Sequence, residues 1–315
     1  MPPAAKWLRW QPNMATLLTA LAPAALAALY FYGWRALAVL TVTNAAAFAS
    51  EWYFTRQRGE PVTLAVFVTG SLLALSLPPR TPLWMCGVGA VVAVTFGKEL
   101  FGGMGRNVYN PALVGRAFLY VCFPTFLTSG WVEPLVGGAG GLTTWVADGV
   151  TAATPLPSLA AGQAVPLLHL LFGAVPGSLG EGCKALLLLG GAYMVWKKVA
   201  SWEIIGSTLG SYLVVTGVFR LLGWGRGADP LHGVLAGGLL YGAIFMATDP
   251  VSANRTQPGR FVFGALIGLT TALIRDLGNF PEGIMFAILL GNTVGPIIEE
   301  GLNAWKARQA PGEAA

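Results

Sequence analysis

Ten runs of apolar residues, at positions 14–32, 37–54, 62–77, 82–96, 111–123, 182–196, 203–222, 231–248, 261–274 and 283–298, decide what this chain can fold into. A water-facing globule would have to cover them with polar groups. Charged residues make up only 10% of the 315, against about 25% in soluble domains, so the cover is missing. A bilayer removes the need for it, because a helix of roughly 20 apolar residues crosses the hydrocarbon with every backbone group bonded internally. The predicted fold is an all-α integral membrane protein of about ten transmembrane helices. Several runs fall short of a full span. The 42 glycines and 21 prolines sit inside apolar runs as well as between them, where they signal close helix contacts and broken helices. The first run follows Lys6 and Arg9 and reads as an uncleaved start-transfer helix, since nine more apolar segments come after it.

Assigning the loops alternately to the two sides puts twelve of the 19 lysines and arginines on one side, among them Arg58, Lys98, Arg106, Lys198, Arg255 and Arg260. The positive-inside rule makes that side cytoplasmic and places both termini there. The longest loop, 125–181, holds no lysine or arginine and is expected outside the cell inner (cytoplasmic) membrane. Lys98-Glu99, glycines and Asn110-Pro111 in the first half match Arg275-Asp276, Gly278 and Phe280-Pro281 in the second, and Pro78-Pro79 matches Asp249-Pro250. Five helices are an odd number, so a duplicated unit enters the bilayer upside down the second time. Inverted repeats of this kind hold ligands at short, Gly/Pro-interrupted segments. The expected division is a cytoplasmic segment 1–13, a first five-helix repeat 14–124, an outer loop 125–181, a second repeat 182–300 and a cytoplasmic tail 301–315.

The net charge of +5 is dispersed, without the basic stripe of a nucleic-acid binder. Cys86, Cys122 and Cys183 form no CxxC and supply no four-thiolate site, and the two histidines, His169 and His232, both fall on the outer side. No metal site is predicted from such a set. Acids in apolar surroundings cost on the order of 2.5–3.5 kcal/mol each, so Asp249 and Glu99 need partners or work. They are the candidates for holding a cation or a proton. Asp before Pro also caps helices, and Lys98-Glu99 with Arg275-Asp276 also reads as simple charge pairing.

Within the outer loop, residues 148–154 read Asp-Gly-Val-Thr-Ala-Ala-Thr, followed by Pro155. Asp-Gly favours a tight turn, Pro155 holds Thr154 extended, and two alanines leave the threonine hydroxyl open. On its residues alone this is a reachable surface turn. The segment resembles a flavinylation motif, Asp-Gly-x-Ser/Thr-Gly/Ala-Ala-Thr, in which the last threonine is joined by a phosphoester to FMN. Residues 105–118, Gly-Arg-Asn-Val-Tyr-Asn-Pro-Ala-Leu-Val-Gly-Arg-Ala-Phe, are similar to a second block of the same family, and Thr248-Asp249-Pro250 to its Thr-Asp-Pro signature. Three blocks in order make the chain resemble the NqrB/RnfD family over residues 14–300. Its members are membrane subunits of the Na⁺-translocating NADH:quinone reductase and of the Rnf ferredoxin:NAD⁺ oxidoreductase. By size the chain is nearer RnfD, which lacks the long amino-terminal extension of the quinone-reductase type. Gly105-Arg106-Asn107 reads like NqrB, and position 152 is alanine where glycine is commonest.

The resemblance implies that Thr154 carries covalent FMN, with Asp148, Gly149, Thr151 and Ala153 completing the motif that a flavin transferase reads. Thr151 is the alternative acceptor. It implies a second, non-covalent flavin, riboflavin, at Asn107 and Asn110, whose amides suit the polar edge of a buried ring. Asn110 also stands where it would cap the helix beginning at Pro111. Arg106 and Arg116 are candidates for a flavin phosphate or a partner carboxylate. The implied function is that of one subunit in an Rnf/Nqr-type complex that passes electrons between flavins while translocating Na⁺ or H⁺. A urea-channel-like solute transporter and a non-redox scaffold are the competing readings, and neither needs an acceptor threonine.

Overall fold

The computed structural model describes residues 7–145, 153–160, 165–225, 229–278 and 282–309. The first half comprises α1 (Pro12–Tyr32), α2 (Trp34–Arg58), α3 (Ala65–Ser76), α4 (Leu83–Gly97) and α5 (Pro111–Cys122). Three short helices follow in the connecting segment: α6 (Pro124–Ser129), α7 (Pro155–Ala160) and α8 (Leu167–Phe172). The second half comprises α9 (Lys184–Trp196), α10 (Trp202–Leu222), α11 (Pro230–Leu235), α12 (Leu239–Tyr241), α13 (Gln257–Leu277) and α14 (Ile284–Gln309). A two-residue strand β1 (Leu8–Arg9) pairs in parallel with β2 (Val62–Thr63), pinning the chain before α1 to the entrance of α3.

Every predicted apolar run lies on helix, and the protein is an all-α membrane protein. Helices α1, α10, α14 and α4 with the turn after it are long and apolar enough to cross a membrane. With 12, 12 and 13 residues, α3, α5 and α9 reach only about 18–20 Å, short of the roughly 30 Å of hydrocarbon. The run 231–248 is also not one helix. It stops after α11, Gly237 takes φ +62°, and the chain resumes through α12 and a π-helical turn, Gly242–Met246. Glycine permits that left-handed step, so the break sits where Gly237-Gly238 stand in the sequence.

The two halves pack in the same order. The second helix lies on the fourth and the fourth on the fifth, giving α2–α4–α5 and α10–α13–α14, while α1 lies on α9 across the halves. Close backbone approach makes these contacts. A Cβ added at Gly268 would stand 2.1 Å from the Thr208 carbonyl oxygen, and one at Gly115 would stand 2.5 Å from that of Gly89. Small residues are needed here because lipid tails compete with apolar side chains for contact, leaving dispersion and backbone proximity to join helices. Substituting Gly268→Val therefore forces α10 and α13 apart, with an expected cost of about 1–3 kcal/mol or more. Gly206, also on α10, has open space at its Cβ position, and Gly206→Ala should raise the thermal stability in detergent slightly, by about 0.5–1 kcal/mol.

Candidate functional site

Pro111 opens α5, where its missing N–H costs nothing, and Asn110 caps it. The Asn110 Oδ1 accepts the N–H groups of Ala112 and Leu113 at 3.0 and 3.4 Å. Its Nδ2 donates to the carbonyl of Met246, the last residue of the π-helical turn, at 3.2 Å and 136 positions away. The Asn110 backbone N–H donates to Asn292 Oδ1 on α14 at 3.2 Å, and Asn292 Nδ2 donates to the Ser252 carbonyl at 3.1 Å. Two amide side chains thus fasten the 105–118 block of the first half to Met246 and Ser252, the residues that flank Thr248-Asp249-Pro250 in the second. Buried amides require such partners, and these two find them across the halves.

Between the fastened elements runs a narrow cleft of about 450 Å³, its mouth included. Met14, Leu17, Val68, Leu72 and Phe245 give it apolar walls, and Lys98, Asn107, Asn110 and Asp249 give it polar edges. Asn107 Nδ2 donates to the Tyr109 carbonyl at 3.0 Å. Asp249 accepts the Val251 N–H at 3.2 Å and the Ser252 hydroxyl at 2.9 Å. Burial pushes its carboxyl above the ordinary range, against the pull of those donors. The cleft sets apolar walls against amide, ammonium and carboxylate edges, and the Asn110 amide serves as helix cap and as bridge to Met246.

Lys98 is 1% exposed and donates to Glu51 Oε2 at 2.5 Å and to Thr63 Oγ1 at 2.8 Å. Glu51 Oε1 accepts the backbone N–H and hydroxyl of Thr63 at 2.8 and 2.6 Å. Glu99 is paired with Arg58, which also holds Glu60 at 3.1 Å. The two acids singled out in the sequence are therefore separated: Asp249 lines the cleft, and Glu99 does not. Arg106 lies in an adjoining cleft of about 730 Å³ with Asn107, Asn254 and Glu299. Arg116, further along α5, is buried and paired with Glu282. Arg275 bonds the Gly233 and Ala236 carbonyls and the Tyr212 hydroxyl, satisfying the broken end of α11 rather than an acid.

Asp148, Gly149 and Thr151 lie outside the described residues. Ala153 is exposed, but Thr154 is only 7% exposed, where its sequence surroundings had led to an open hydroxyl. The reason is that α7 docks on the second half. Leu156 and Leu159 pack with Leu170 and Ala236, and a Cβ at Gly237 would stand 2.7 Å from Leu156 Cδ1. The segment bearing Thr154 thus covers the helix break at 236–238.

Glu51 and Asn292 were not singled out from the sequence. The available signal was a lone acid in the apolar run 37–54 and a lone amide in 283–298, each costly unless partnered.

Residues 4–305 match the model of the NQR2, RnfD, RnfE family. The chain is 37% identical to a subunit of the ion-translocating oxidoreductase complex of Halorhodospira halophila, with 91% of this chain and 88% of that protein aligned. It is 35% identical to a subunit of the proton-translocating ferredoxin:NAD(+) oxidoreductase complex of Clostridium ljungdahlii over the same shares. It is 38% identical to a subunit of the Na(+)-translocating NADH-quinone reductase of Azotobacter vinelandii, covering 79% of this chain and 62% of that protein. With a family match along nearly its whole length and relatives above 30% identity, the chain belongs to the NQR2, RnfD, RnfE family.

Proposed function

We propose that this chain is the flavin-carrying membrane subunit of an Rnf/Nqr-type complex that couples electron transfer to Na⁺ or H⁺ translocation across the cell inner membrane. The observation that carries this reading is the cleft where the 105–118 block and the Thr248-Asp249-Pro250 block meet through Asn110 and Met246. Their convergence sets amide and carboxylate edges from both halves around one apolar space. A bound flavin supplies one- and two-electron redox chemistry.

In this reading the Thr154 hydroxyl forms the phosphoester with FMN, and Asp148, Gly149, Thr151 and Ala153 present it to a flavin transferase. Because Thr154 is 7% exposed, the transferase reaches it before α7 settles on the second half. Asn107 and Asn110 hold the edges of the cleft for riboflavin, and Met14, Leu17 and Phe245 exclude water from it. Asp249 holds a proton or cation beside that cleft. The termini and the basic loops face the cytoplasm, the attachment loop faces outward, and the shared packing order of the halves reflects an inverted duplication. Other subunits of the complex deliver and remove electrons.

The test is to produce the chain with an active transferase and precipitate it in acid. One flavin should remain with the pellet and another should pass to the supernatant. Protein free of flavin in both fractions, beside a control that the same transferase has labelled, would overturn the reading.

A further inference from the structure

A pocket of about 1110 Å³, its mouth included, opens beside the loop 249–255 at the facing ends of α9, α10 and α13. Lys198, Arg255 and Arg260 line it against a single acid, Glu203, leaving a surplus of two positive charges. Glu203 stands 3.7 Å from Arg260, a loose pair, and Arg260 Nε is buried with no hydrogen-bond partner. Among the described residues no acid forms an ion pair with the side chain of Lys198 or Arg255.

The backbone adds to this positive field. Ser201 gives α10 no side-chain cap, so the first N–H groups of that 21-residue helix open at the wall formed by Trp202 and Glu203. The start of α13 is already served, since Glu299 Oε1 accepts the Arg255 and Thr256 N–H groups and Thr256 Oγ1 accepts that of Gly259, so Arg260 in its first turn has only the loose pair with Glu203. Lys198 has φ +58°, the one non-glycine residue with positive φ among those described. That conformation closes α9 as a left-handed helix cap: the Lys198 N–H donates to the Val195 carbonyl at 3.0 Å and the Val199 N–H to the Met194 carbonyl at 2.9 Å, which fixes the Lys198 side chain at the pocket rim. A helix N-terminus and basic side chains facing one space are the chemistry of a phosphate site. Trp196 and Trp202, 73% and 56% exposed on either side of the turn, mark the level of the bilayer surface.

We propose that this pocket binds a phosphate-bearing headgroup, the chemistry shared by an anionic phospholipid and a soluble phosphate ester. The flanking tryptophans favour the lipid as its source. The site is independent of the flavin reading, since none of its charged residues lines the flavin cleft.

The test uses the full chain, purified in non-ionic detergent and titrated with phosphatidylglycerol, phosphatidylcholine or glycerol phosphate, with binding read by native mass spectrometry and by thermal shift. Phosphatidylglycerol should bind and stabilise, with phosphatidylcholine much weaker. Lys198→Asn keeps a residue that tolerates the left-handed backbone while removing the charge. It and Arg255→Gln should each weaken binding about fivefold, and the pair roughly 25-fold. Arg220→Gln, at the opposite end of α10, should change nothing. Binding of glycerol phosphate alone, with the same dependence on Lys198 and Arg255, would keep the phosphate chemistry and assign its source to a soluble ester. Folded wild type that binds none of these anions, or binds phosphatidylglycerol equally in the double variant, would overturn the proposal.

Discussion

Thr154→Ala should abolish the fluorescent flavin band in a denaturing gel, reducing it to background in protein made with an active transferase. A phosphoester needs an oxygen on the chain, and alanine has none. The variant should otherwise resemble the wild type. Alanine occupies less space at a site 7% exposed, Pro155 still opens α7, and Leu156 and Leu159 still supply the apolar contact with Ala236, so unfolding should shift by no more than about 1 kcal/mol. Flavin released by acid should persist, because the walls of the cleft come from α1, α3, the π-helical turn and the loops before α5. Thr151→Ala, which alters the motif the transferase reads without removing the acceptor oxygen, should weaken the band without abolishing it. A band surviving in Thr154→Ala and vanishing in Thr151→Ala would move the attachment three residues upstream. A band surviving in both would leave the motif without the proposed role.

The helices were legible because ten apolar runs have one cheap solution in a bilayer, and the structure puts a helix on each. The break in 231–248 was not foreseen, although Gly237-Gly238 carried the signal. Glycine pairs are common in membrane helices, and only the surroundings decide which pair takes a positive φ. Candidate residues were legible as types and not as contacts. Asn107, Asn110 and Asp249 share a cleft, while Glu99 and Arg116 are taken up by Arg58 and Glu282. No spacing rule connects position 110 with 246, a contact between the halves, or 98 with 51, a contact of α2 with the end of α4 inside the first half, since both depend on tertiary packing. The burial of Thr154 was missed for the same reason: local sequence favoured an open turn, and the apolar face of α7 overrode it.

The largest loss of stability should follow Lys98→Met. The variant leaves Glu51 fully buried with its Oε2 facing an apolar side chain and no water to replace the ammonium. Removing one partner of such a pair costs roughly 3–5 kcal/mol, most of it the uncompensated charge. Arg58→Gln, which unpairs Glu99, should cost less, because Arg58 is 30% exposed and water reaches the pair from that side. Combining Lys98→Met with Glu51→Gln should recover much of the loss, since the glutamine amide keeps an acceptor for the Thr63 N–H and hydroxyl without a charge to bury. Chemical or thermal unfolding in detergent separates the cases. If the double variant is no more stable than Lys98→Met alone, the defect lies in the lost lysine stem beside the cleft and not in a stranded carboxylate. Recovery of stability without recovery of acid-released flavin would give Lys98 a second duty, holding the edge of the cleft, which its position among the lining residues supports.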